Sequence, residues 1–223
     1  MSARRHFGGF CDEYSDFALP QWNDLPDIEL YMDQVTALIN KHLGRIKRAE
    51  NKETLTAAMI NNYVKLGFLP PPVKKKYSRE HIAQLLVICT MKPVMSIPDT
   101  SDIISSLLRF MTVRELFETF REMYDGIFLA TLTGGKLPDA DAFSDLGEPT
   151  AFFAVTALYS ACVSSVQLFL AKNAVLMLRE EQNNEKLRAE QAKKDAAAAE
   201  KAAKKAKKEA EKAPDLPDKI AAE

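Results

Sequence analysis

Residues 56–104 read TAAMINNYVKLGFLPPPVKKKYSREHIAQLLVICTMKPVMSIPDTSDII, and their punctuation decides the fold. Thr56 is an N-cap candidate, Met59, Ile60, Tyr63 and Val64 follow at helical spacing, and Gly67 precedes Pro70, Pro71 and Pro72. That order predicts a short helix with hard stops at both ends. A basic ribbon of Lys74, Lys75 and Lys76 leads to Tyr77, and Ser78 then caps a helix carrying Ile82, Leu85, Leu86 and Cys89 that ends before Pro93. Ser96 with Asp99 three residues on starts the next helix.

Helical period extends in both directions, and strands are nearly absent. Upstream, Asp24, Pro26 and Asp27 suit a first turn, Ile28, Tyr31, Val35, Leu38, Ile39 and His42 follow at helical spacing, and Gly44 ends the element. Trp22, between Pro20 and Pro26, is expected to anchor the N-terminal segment on the core. Downstream, Thr112 and Glu115 form a capping-box pattern, and a helix with Leu116, Phe117, Phe120, Met123, Tyr124, Ile127 and Phe128 stops at Gly134 and Gly135.

Residues 150–171 carry no charge, which by length alone fits a membrane span. Thr150, Thr156, Ser160, Ser164, Ser165 and Gln167 lower the hydrophobicity, so a buried or dimer-forming helix is preferred over a span. From Arg179 to Lys212 the composition turns to Ala, Lys, Glu and Gln, strong helix formers with almost no apolar stripe. A solvated, extended helix is expected there.

The 223 residues are 47% hydrophobic, enough for a core without disulfides or metals. Cys11, Cys89 and Cys162 are too scattered for a zinc site and read as reduced thiols, and the first thirty residues lack the apolar run of a secretory signal. A cytoplasmic protein is expected. The net charge of −1 names no partner, but its distribution does. Between Lys41 and His81 ten basic residues face three acidic ones, whereas between Asp99 and Glu148 ten acidic residues face four basic ones. A basic binding face beside a separate acidic part follows.

The chemistry of a DNA reader fits the quoted stretch. The first turn of the helix capped by Thr56 offers backbone N–H groups to a phosphate. Asn61 and Asn62 are side chains that pair with adenine edges, with Lys65 on the same helix, while Lys74, Lys75, Lys76 and Arg79 suit the phosphate backbone. Tyr63 is either a core aromatic or a phosphate contact. Arg45, Lys47, Arg48 and Lys52, between the two helices, either touch DNA or are solvated. His42 and His81 read as helix-face residues, because no second metal ligand lies at suitable spacing.

Helix, glycine, apolar pair, proline, basic ribbon, tyrosine and serine cap resemble the winged helix-turn-helix of the MerR family of bacterial regulators. Met59, Ile60, Tyr63, Gly67, Phe68, Leu69, Pro70, Tyr77, Ser78 and Ile82 fall on that pattern. The MerR pattern has an Arg and an aromatic ahead of the tyrosine and an acid after it, where this chain has Asn61, Asn62 and Val64, so the phosphate clamp of that family is absent. Gly44 and Thr56 are also farther apart than a three- or four-residue turn. The wider stretch from about Leu19 to Ile104 is similar to the bacterial domain-of-unknown-function family numbered 1836.

These resemblances imply an all-α fold: an N-terminal arm over 1–27, a MerR-like winged helix-turn-helix over 28–92, a helical effector or dimerisation region over 93–178, and an Ala/Lys/Glu-rich tail over 179–223. The implied function is a bacterial transcriptional regulator that docks helix 56–66 in the major groove with a basic wing at 73–77, with double-stranded DNA and a second copy as partners. The alternative is a helical interaction or scaffold protein that keeps the fold without DNA contacts and uses 150–171 as its partner surface. No cofactor or metal is expected, since only Cys162 and no His lies in the C-terminal half. No catalytic motif such as GxSxG, GxxxxGKS, GxGxxG or HExxH is present, and Asp99, Asp102, Glu115, Glu118, Glu122 and Asp125 fit helix starts or exposed faces, so no enzyme is expected.

Overall fold

The computed structural model describes residues 3–47, 54–139 and 148–210. The fold is mostly helical: α1 (Ala3–Glu13), α2 (Met32–Lys47), α3 (Ala57–Lys65), α4 (Arg79–Met91), α5 (Ile97–Leu107), α6 (Val113–Thr133) and α7 (Pro149–Ala210). Strands β1 (Leu30–Tyr31) and β2 (Lys76–Tyr77) pair antiparallel, Leu30 against Tyr77 and Tyr31 against Lys76. Residues 1–174 form one compact unit and residues 175–223 a second.

The first unit is built around α4. Every residue from His81 to Met91 is buried, so α4 is enclosed on all sides instead of showing the single apolar stripe of a surface helix. It packs against α2, α5 and α6. The boundary expected at 92/93 therefore runs through a shared core. α6 carries the capping box read from Thr112 and Glu115, with the Thr112 N–H donating to Glu115 Oε2 at 2.7 Å, and ends on Gly134 in the left-handed region at φ 71°. α7 lays Ala151, Ala154, Leu158, Ala161, Cys162, Val166 and Phe169 against this core. The Ser165 hydroxyl donates to the Thr90 carbonyl at 3.0 Å, tying α7 to α4. By length and hydropathy α7 is able to cross a membrane, but 44% of its most apolar window is buried inside the protein.

Several expectations are corrected. The segment expected as an arm over 1–27 contributes to the core: Phe10 packs tilted and Tyr14 edge-on against Phe169, Phe17 packs tilted against Phe128, and Leu19, Trp22 and Leu25 are buried. Trp22 lies on a 3-10 turn, Trp22–Asp24, so Asp24 and Pro26 do not open α2. The helix starts at Met32, because Leu30 and Tyr31 are drawn into strand pairing and the Tyr31 N–H is capped by Gln34 Oε1 at 2.9 Å. Ile28, 66% exposed, is outside the core. α2 continues through Gly44 to Lys47, carried by the burial of Ile46 and by the Tyr14 hydroxyl, which donates to the Arg45 carbonyl at 3.2 Å. His81 is a buried capping residue, not a face residue: its Nδ1 accepts the Ser78 N–H at 3.0 Å and Nε2 reaches the Pro70 carbonyl at 3.2 Å.

Asp125 also departs from the exposed-acid reading. Its side chain is largely covered, it accepts the Leu19 N–H at 3.0 Å and it faces Arg121 at 3.4 Å. Burial outweighs these partners and holds its carboxyl up at about 6.

In the second unit, residues 175–205 are almost all exposed and helical, with Glu200–Lys204 at 2.6 Å and Gln191–Asp195 at 2.8 Å. Such pairs add about 0.2–0.5 kcal/mol each to a helix whose alanines already favour it. The helix continues to Ala210; the rest of the tail lies outside the described residues.

Candidate nucleic-acid interface

α3 is only 9 residues long, and both of its ends are held by specific chemistry. At the start, Thr56 Oγ1 accepts the Met59 N–H at 3.3 Å. Leu55, just outside the cap, and Ile60, one turn in, are both fully buried, the arrangement of a hydrophobic staple. At the end, the Phe68 N–H donates to the Tyr63 carbonyl at 2.8 Å and the Gly67 N–H to the Val64 carbonyl at 3.1 Å. With Gly67 at φ 77° this is a Schellman motif, which satisfies carbonyls that the broken helix leaves unpaired.

A residue that sequence reading missed aims the entry to α3. Asn40, on α2, accepts the Thr54 and Leu55 N–H groups at 2.9 and 3.1 Å through Oδ1 and donates to the Leu55 carbonyl at 2.9 Å through Nδ2. Fourteen residues separate Asn40 from Thr54, and no local pattern marks such a pair. Of the basic residues expected between α2 and α3, Arg45 pairs with Asp16 at 2.9 Å and stacks on Tyr14, so it is engaged with the N-terminal segment. Arg48 and Lys52 lie outside the described residues, and Lys47 closes α2.

The outer side of α3 is formed by Ala57, Ala58, Asn61, Asn62 and Lys65, all exposed. Lys65 is three and four residues on from Asn62 and Asn61, so the three share one helical face. Tyr63 points the other way. It is 3% exposed, and burial pushes its hydroxyl up to about 12, so of its two readings the structure takes the core aromatic.

The basic ribbon folds as a hairpin tip. Val73 and Lys76 exchange backbone hydrogen bonds at 3.1 and 2.9 Å, and the two residues between them, Lys74 and Lys75, have φ 48° and 65°. A two-residue loop with both central residues in the left-handed region is a type I′ turn, whose twist matches that of the flanking strands. Lys74 and Lys75 are exposed; Lys76 is half-buried, its Nζ 5.6 Å from the centre of the Tyr31 ring. Arg79 is half-buried too: its Nε donates to the Pro26 carbonyl at 3.2 Å and its guanidinium lies 5.7 Å from the Trp22 ring centre. The predicted set thus divides into exposed Asn61, Asn62, Lys65, Lys74 and Lys75, partly engaged Thr56, Lys76 and Arg79, and buried Tyr63.

Among the described residues there is no group of three or more His, Cys, Asp or Glu able to hold a metal. Neither a curated protein nor a solved structure matches the chain. Residues 20–127, which run from the Trp22 turn through most of α6, match the model of a domain of unknown function, DUF1836, so this part of the chain is similar to that family.

Proposed function

We propose that the protein is a cytoplasmic DNA-binding regulator of bacterial type in which α2, α3 and the 73–77 hairpin serve as a winged helix-turn-helix. The observation that carries this reading is the outer face of α3, where Asn61, Asn62 and Lys65 stand exposed on a short helix capped at both ends. Asparagine pairs with adenine in the major groove, lysine contacts phosphate, and Ala57 and Ala58 leave room for close approach. Lys74 and Lys75 on the wing hold the backbone, and a dimer pairs two half-sites.

A second reading, a helical interaction protein, is favoured by Phe152 and Phe153, which stand 47% and 68% exposed on the outer side of α7. Salt separates the two. Neutralising six phosphates gives log affinity a slope of about −5 against log salt, whereas apolar association barely responds. Selection of random duplexes on the purified protein at two ionic strengths is the test. A recovered site whose binding weakens steeply with salt supports the regulator, and Lys74, Lys75 and Lys76 changed together to Ala then weaken binding without unfolding the protein. Failure to enrich any duplex at low salt overturns it. Asn61 and Asn62 changed to Ala erase preference for the recovered site; an unchanged preference removes them as readers.

A further inference from the structure

Two arginines from distant parts of the chain share one indole. The Arg79 guanidinium lies 5.7 Å and that of Arg114 5.9 Å from the centre of the Trp22 ring. Neither is paired with a carboxylate among the described residues. Of the neighbouring acids, Glu115 accepts the Thr112 N–H and hydroxyl and Asp24 accepts the Gln21 N–H, while Ser78 and, to a smaller extent, the charge of Arg79 hold the Glu80 carboxyl below the usual carboxylate range. Arg79 is held by Pro26 through Nε, and its terminal nitrogens have no hydrogen-bond partner among the described residues.

The placement runs against local preference. Arg79 is the first residue of α4 and Arg114 the second of α6, positions where the helix dipole disfavours a cation and favours an anion. A cation–π contact with Trp22 offsets part of that cost, and a guanidinium's planar fork is the side-chain group that matches phosphate best. Two guanidinium groups and two helix starts are thus gathered around one indole, and Arg79 lies two residues after the wing strand β2. Arg114 belongs to the acidic half of the sequence, so tertiary structure recruits it to the cationic half.

We propose that Trp22, Arg79 and Arg114 form a phosphate-binding site, and that the duplex backbone beside the wing is the phosphate it takes. The second clause rests on the regulator reading; the first stands without it. Trp22 is the one tryptophan of the chain, so its emission reports the site directly. The full-length protein is titrated with inorganic pyrophosphate at constant ionic strength made up with chloride. A saturable change in Trp22 emission is expected, lost in Arg114→Gln with the thermal midpoint unchanged, and partly kept in Arg114→Lys. No saturable change in the wild type, or an Arg114→Gln titration equal to the wild type, overturns the site.

Duplex DNA is then added to the pyrophosphate complex. Displacement, together with a salt slope about one unit shallower for Arg114→Gln, identifies the backbone as the phosphate. Pyrophosphate binding with no duplex binding in any variant keeps the site, assigns it to a free phosphate compound and overturns the regulator reading. Duplex binding with an unchanged slope in Arg114→Gln overturns the link between the site and DNA.

Discussion

Lys74 and Lys75 occupy a turn that asparagine and glycine fill best, at φ 48° and 65°. A left-handed conformation costs a residue with a Cβ about 1–2 kcal/mol, so the two lysines are kept at some expense to stability. Lys74→Asn with Lys75→Gly is expected to raise unfolding free energy by about 1 kcal/mol, measured by chemical denaturation, while weakening duplex binding at low salt. A variant that is less stable than the wild type contradicts the strain argument. At this scale much was legible: the caps Thr56, Ser96 and Thr112 are all in place, because each satisfies backbone N–H groups within three residues. Tyr63 was not, since an aromatic one turn from Met59 and Ile60 fits a core or a surface equally well until neighbours are known.

Among the elements, α3 depends most on a partner outside itself. Removing the Asn40 side chain strips acceptors from two N–H groups and a donor from the Leu55 carbonyl. Asn40→Ala is expected to cost about 1–3 kcal/mol, the penalty for part-buried groups left unpaired, and to weaken duplex binding beyond what stability explains. Denaturation and binding measured on the same preparation check this; a full-strength binder of lowered stability would show that the clamp serves folding alone. The start of α2 illustrates the opposite limit of sequence reading. Asp24, Pro26 and Asp27 are sound helix-start residues, yet β2 competes for the chain at Leu30 and Tyr31, and a strand partner more than forty residues away leaves no trace in local spacing.

At the scale of the first unit, the titration of Asp125 opposes that of an ordinary salt bridge. Asp125 has its folded value raised to about 6, whereas an unfolded Asp titrates near 3.9. The folded state therefore binds the extra proton between these values, so this contribution is fully present below about 3.9 and lost as pH rises through about 6. Asp125→Asn keeps an acceptor for Leu19 and carries no charge, so its stability relative to the wild type is expected to be greatest near pH 7 and to shrink toward pH 5. Thermal or chemical unfolding of both proteins across that range provides the measurement; a difference independent of pH rules out Asp125 as the titrating group.

By itself the sequence determined the helical class, the short proline-ended α3, the basic ribbon and the capped starts of α5 and α6, because these rest on hydrogen bonds and steric limits within a few residues. Tertiary structure decided the rest: that α4 is enclosed on every side, that the N-terminal segment is core, and that Asp125 holds Leu19 across 106 positions. It also decided that Arg79 and Arg114 both lie against Trp22. Those outcomes turn on which surfaces leave water together, and burial depends on distance in space, to which spacing along the chain is blind.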